Sequence, residues 1–225
     1  MSHSLAVALR QALQAAADPA KAPSMQAYMK TDQPFYGVMA GPRRALFRAA
    51  LKQHPLRSRE EYEENVRDLW YGTYREEMYL ALDLAQGAKV YRDLASWPLY
   101  VEMMCTATNW DTLDWIAATL LGDLLRHHRE KETDVRAWVD DPNLWVRRTS
   151  LLIHLKHKGE TNLPMLSAAI LHLAPEKEFF IRKAIGWVLR EYAKTDPDWV
   201  WAFVDEHKDQ LSGLSVREAT KNLKG

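Results

Sequence analysis

One cysteine, Cys105, is present, so no disulfide can form within the chain; that suits a reducing cytoplasm. Glycine and proline are scarce, 9 and 10 of 225 residues, which excludes collagen-like, loop-rich and low-complexity architectures. No apolar run approaches the roughly 18 residues of a membrane helix. Met1–Arg10 lacks a basic segment followed by an apolar run, so no secretory leader is expected. Phosphate-binding glycine loops and the GxSxG elbow are missing. His154-x-x-His157 and His127-His128 have no companion ligands at metal spacing. They read as solvent-facing histidines, and neither metal nor cofactor is expected. No convincing period-2 strand pattern occurs.

What is there is helix. Hydrophobic residues make up 47% of the chain, ample for a core. Tyr74, Trp110, Trp145, Phe180 and Ser215 recur at intervals of 36, 35, 35 and 35 residues. Three of these markers open similar segments: Trp145-Val-Arg-Arg-Thr149, Phe180-Ile-Arg-Lys-Ala184 and Ser215-Val-Arg-Glu-Ala219. Such a period marks stacked helical repeats. Helices are expected over Ser4–Ala17, Ala20–Lys30 and Arg43–Gln53, with Gln33–Gly41 a loop. Pairs follow: Ser58–Leu69 with Thr73–Gln86, Tyr91–Thr106 with Asp111–His127, and Asp134–Val139 with Asn143–His157. Leu163–Leu173 then pairs with Lys177–Lys194, and Pro197–Lys208 with Ser215–Leu223. Asp196-Pro197 and Ser215 read as helix starts, and Asp111 as a cap. The expected fold class is all-α, a HEAT-like solenoid of paired antiparallel helices in one domain over residues 1–225.

Net charge is zero, but it is unevenly placed. Residues 1–58 carry +6, 59–142 carry −9, 143–194 carry +5 and 195–225 carry −2. That asymmetry is what a local polyanion site would need; ordinary solvated helix faces are the plainer alternative. Counting from each marker as position 0, positions 0, +3, +4 and +7 share one face of a helix. This face holds Tyr74, Trp110, Asp114, Trp145, Arg148, Phe180, Lys183 and Trp187. Asp114 stands out, because its +4 counterparts are Met78, Thr149, Ala184 and Ala219, and burying an unpaired carboxylate is costly. It reads either as a functional acid or as a helix-start or ion-pair residue, with Arg148 one candidate partner. Trp110 and Trp187 share its face and could stack on a sugar or attract a cation. Trp70, Trp97, Trp115, Trp138, Trp199 and Trp201 read as packing. Arg43, Arg44, Arg147, Lys156, Lys158, Arg182, Lys183, Arg190 and Lys194 are candidate phosphate contacts, each with a solvated-surface alternative.

These residues carry a family resemblance. Lys177-Glu-Phe-Phe-Ile-Arg-Lys-Ala-Ile-Gly-Trp-Val-Leu-Arg-Glu-Tyr-Ala-Lys194 resembles the bacterial AlkD family of DNA alkylation repair enzymes. So do Ala27-Tyr-Met-Lys30, Pro42-Arg-Arg44, Asn109-Trp-Asp-Thr-Leu-Asp114 and Asn143-Leu-Trp-Val-Arg-Arg148. The resemblance spans nearly the full length. It implies a HEAT-like DNA glycosylase with Asp114 as catalytic acid, Trp110 and Trp187 flanking it, and Arg148 and Tyr28 at the DNA. Arg43, Arg44, Arg147, Phe180, Arg182, Lys183 and Arg190 complete the expected DNA-binding set. The implied substrates are cationic purines alkylated at ring nitrogen, N7-methylguanine and N3-methyladenine, in double-stranded DNA. The resemblance also implies that the base is not flipped into a deep pocket. Thr112 and Leu113 depart from the family's wording.

The expected molecule is a cytoplasmic bacterial monomer, with no membrane partner and an abasic site as product. Two other readings remain at this point: a non-catalytic binder of damaged or branched DNA on the same fold, and a protein-interaction scaffold.

Overall fold

The computed structural model describes residues 4–223, so Met1–His3 of the opening stretch read above lie outside it. The regular structure of the described residues is all helical, with no strand among them. None of the helices is long and apolar enough to cross a membrane. The chain divides into two compact units, Met1–Leu99 and Tyr100–Gly225.

In the first unit α1 (Leu5–Ala15) begins at Ser4, whose hydroxyl accepts from the Val7 amide. It buries Leu5, Leu9 and Leu13 at i, i+4 spacing. The helix packs on α3 (Ala40–Gln53) and α4 (Arg59–Trp70), and α5 (Arg75–Gly87) lies against both α3 and α4. The short α2 (Ala22–Met29) leads into the expected loop. Buried Glu76 gathers that loop, accepting from the amides of Tyr36, Gly37 and Val38 at 3.0, 2.9 and 3.0 Å. Gly37 has φ 87, and a Cβ there would lie 2.1 Å from the Asp18 carbonyl oxygen, so only glycine fits. Glu77, next to Glu76 in sequence, is buried against Arg10 at 2.5 Å. Two acids of the negative segment thus hold the fold together and face no solvent. The expected helix from Tyr91 instead opens as two 3₁₀ turns, and α6 spans Trp97–Thr106. Asp93 accounts for the break: it takes Arg59 in a bidentate pair at 2.8 and 2.7 Å and caps the Ala95 amide.

In the second unit α7 (Trp110–Trp115), α10 (Leu144–Leu152), α12 (Phe179–Tyr192) and α14 (Gly213–Thr220) are the marker-bearing helices. Each packs on the next: α7 on α10, α10 on α12, α12 on α14. Between them come α8 (Gly122–His127), α9 (Glu132–Ala137), α11 (Leu163–Leu173) and α13 (Pro197–Glu206). Asparagine caps start α7 and α10: Asn109 accepts from the Trp110 amide at 2.8 Å and Asn143 from Trp145 at 2.9 Å. Asp196 caps α13 as expected. Asp111 is not the cap of α7 but sits in its first turn, and Ser212 rather than Ser215 caps α14. The +4 residues Thr149, Ala184 and Ala219 are fully buried, so the register that holds Asp114 is an interior one.

Several side chains correct the sequence reading. Trp201 is 40% exposed rather than core. The stretch after Asp114 is not one helix, because Ile116–Leu121 widens into a π-helical turn before α8. His154 and His157 are buried, not solvent-facing. Their rings meet edge-on at 5.5 Å, and His157 Nε2 lies 2.7 Å from the Gly122 carbonyl oxygen. Both nitrogens of His154 lack a protein partner, and burial pushes its pKa down to about 3.

Two predictions follow from this packing. His154 is neutral when folded, and the unfolded chain takes up its proton near the ordinary value of about 6.5. Stability is therefore full above that value and falls as pH drops from there towards about 3. His154→Phe is expected to flatten this acid slope in pH-dependent denaturant melts, by up to about 1.4 kcal/mol per pH unit. At Gly186 a Cβ would lie 2.4 Å from Glu218 Cβ and 2.8 Å from the Ser215 carbonyl oxygen. Gly186→Ala is expected to wedge α12 from α14 and to cost about 1–3 kcal/mol in the same measurement.

Candidate functional site

Asp114 lies in α7 and reaches across to the next repeat. Arg148 of α10 meets it in a two-point pair, Nε to Oδ1 at 2.8 Å and Nη2 to Oδ2 at 2.9 Å. The third guanidinium edge is also engaged, since Nη1 donates to the Phe180 carbonyl oxygen of α12. One arginine thus ties three successive marker helices together. The Asp114 side chain is 13% exposed and that of Arg148 is 4%. Burial pushes the Asp114 carboxyl above the ordinary carboxylate range, and the Arg148 guanidinium opposes that rise. Arg148 supplies the countercharge that a carboxylate at a buried register position requires.

Aromatic rings line the neighbourhood. The Phe180 ring lies under the Arg148 guanidinium at 5.7 Å and against Trp145 at 5.0 Å. Phe179 crosses Phe180 edge-on at 5.4 Å and is exposed. Trp110, 37% exposed, is one helical turn before Asp114 and so shares its face. Trp187 of α12 is half-buried against the core of Ile181, Ala184, Ile185 and Val188.

The remaining candidate cations are mostly occupied. Arg147 turns to Glu176, at 2.8 and 3.2 Å, and to the carbonyls of Asp141 and Pro142. Arg182 donates to the Glu176 carbonyl at 2.9 Å. Lys183 and Arg190 both pair with Glu218, Lys183 at 2.6 Å. Glu218 escaped the sequence reading, although it sits at +3 of the Ser215 repeat, the register of Arg148 and Lys183. In the other unit Tyr28 is 75% exposed. There Arg43 is buried over the Tyr79 ring at 4.7 Å, and Arg44 is exposed, 3.9 Å from Asp83. Among the described residues no group of three or more His, Cys, Asp or Glu is arranged to hold a metal.

The stacked marker helices and the carboxylate–guanidinium pair across them define an all-helical repeat protein with a charged, aromatic-lined wall. The chain belongs to the family described as DNA alkylation repair enzyme, which matches residues 9–223. A solved structure described as a predicted DNA alkylation repair enzyme from Enterococcus faecalis is 33% identical, with a TM-score of 0.84. The match covers 92% of this chain and 96% of that one. The structure of AlkD2 from Streptococcus mutans shares the fold at 15% identity and a TM-score of 0.62, over 90% of this chain and 99% of that one. No curated protein matches the chain.

Removing Arg148 would leave Asp114 buried with its charge uncompensated. Arg148→Met is expected to lower stability by about 3–5 kcal/mol in equilibrium denaturation. Pairing it with Asp114→Asn is expected to recover a large part of that loss. Equal losses in the single and double variants would show that the pair does not carry the effect.

Proposed function

We propose that the protein is a monofunctional DNA glycosylase acting on cationic N-alkylated purines, N7-methylguanine and N3-methyladenine, in duplex DNA. The observation that carries this reading is an aspartate in an interior register, sharing a helix face with an exposed tryptophan. A purine alkylated at ring nitrogen already bears positive charge, so it departs neutral and needs no acid to protonate it. One carboxylate is then enough where glycoside hydrolases use two. As the N-glycosidic bond breaks, positive charge develops on the deoxyribose. Asp114 stabilises that charge and orients the attacking water, whose hydroxyl joins the sugar carbon. The remaining proton passes to Asp114 and on to solvent. Trp110 and Trp187 hold the sugar by their ring faces.

In this reading Arg148 is the clamp that keeps Asp114 ionised and aimed, while its own burial limits contact with phosphate. Exposed Tyr28 and Arg44 in the first unit, and Phe180 and Arg182 in the second, contact the DNA. The protein acts as a cytoplasmic monomer and leaves an abasic site. A second reading, a non-catalytic binder of damaged or branched DNA, draws on the engagement of both Asp114 oxygens by Arg148.

Incubation with methylated duplex DNA separates the two. The glycosylase releases 7-methylguanine without added metal, and Asp114→Asn is expected to slow release about 100-fold or more while DNA binding persists. Binding with no release by the wild-type protein supports the binder. Undiminished release by the variant removes Asp114 from its role.

A further inference from the structure

Lys183, Trp187 and Arg190 stand at i, i+4 and i+7 on α12, one face of one helix. The two cations of that face are both taken by a single carboxylate from the next repeat. Glu218 Oε1 meets Lys183 Nζ at 2.6 Å, and Oε2 meets Arg190 Nη1. Both oxygens are occupied, one per cation, as two oxygens of a backbone phosphate would be. The close seat exists because residue 186 is glycine: the Glu218 Cβ lies 2.4 Å from where a Cβ of residue 186 would be, beside Trp187 in sequence. Lys183 and Arg190 are nevertheless 37% and 22% exposed, against 15% for Glu218. Their outer surfaces face solvent while their charge is cancelled from within. The two hydrogen-bonded cations, Lys183 foremost, hold the Glu218 carboxyl below the ordinary carboxylate range.

We propose that Glu218 is an internal stand-in for a DNA phosphate, a specificity-determining residue that withholds Lys183 and Arg190 from undamaged backbone. The proposal rests on the reading that this wall meets DNA. Phosphate contacts supply the affinity that is blind to damage, through counterion release. A wall with both cations free would bind any duplex. With Glu218 in place, contact beside Trp187 depends less on charge and more on the fit of the sugar to the indole and Asp114. Duplex DNA can still compete for the two cations, at the cost of breaking two ion pairs.

The test is the salt dependence of binding to a short undamaged duplex, with base release from methylated duplex scored on the same preparations. Glu218→Gln keeps the shape and removes the charge. It is expected to bind the undamaged duplex about tenfold tighter near 0.1 M salt, and to steepen the plot of log affinity against log salt by about 1–2, at about 0.9 per phosphate engaged. Undamaged competitor is expected to slow its base release more than that of wild type. The triple variant E218Q/K183Q/R190Q is expected to lose the gain. An unchanged slope, or weaker binding by folded Glu218→Gln, overturns the proposal. Base release with an unchanged slope sinks the role of Glu218 and leaves the glycosylase reading standing; a steeper slope without release does the reverse. Should Glu218→Gln fail to fold by circular dichroism, Glu218→Asp takes its place. That side chain is one methylene too short to hold both cations, so a partial gain supports the proposal and none overturns it.

Discussion

The two-point pair between Asp114 and Arg148 is the constraint on which the second unit is arranged. A carboxylate in the register of Thr149, Ala184 and Ala219 has lost most of its hydration. Arg148 supplies the compensating charge and, through its third edge, reaches the Phe180 carbonyl of the following helix. Its planar fork suits it to this, because it can satisfy a carboxylate and a carbonyl at once, which a lysine ammonium cannot do with the same directionality. The consequence is that Asp114 is countered and its direction set by an element one repeat away.

The rest of the wall is built by the same device in weaker form. Charge is passed from repeat to repeat: Arg147 to Glu176, Lys183 and Arg190 to Glu218. A protein whose formal charge sums to zero thus buries or pairs much of it locally. The positive segments announced in the sequence are less available to a polyanion than their count suggests. The acids of the negative segment do structural work, Glu76 by gathering a loop and Glu77 by holding Arg10. Segment charge is therefore a poor guide to a binding surface when the opposite charge stands one helix away.

Helix existence was legible throughout, because helical apolar spacing and capping residues are local. Leu163–Leu173 came out at its expected bounds, and the 35-residue markers fall at the starts of the packed helices. The misses share a cause. The break before Trp97 depends on Arg59 reaching Asp93 from another helix. The π-helical turn after Asp114 leads into Gly122, which packs so near Ile153 that an added Cβ would lie 2.7 Å from the Ile153 carbonyl oxygen. The buried state of His154 and His157 is equally a matter of neighbours, since nothing in the spacing of two histidines tells a core pair from a solvated one.

The order of residues along the chain was enough to settle the helical-repeat class and its period, to place Trp110 and Asp114 on one helix face, and to mark Arg148 and Trp187 on the corresponding face of later repeats. These are consequences of helical periodicity, which acts over a few residues. Pairing was decided only when the repeats stacked. That Arg148 turns inward to Asp114, and that Glu218 takes Lys183 and Arg190, depends on side chains some 28 to 35 positions apart meeting across helix boundaries. Ion pairs of that kind are fixed by distance in space and by the loss of solvent around them, and neither is written in a one-dimensional pattern.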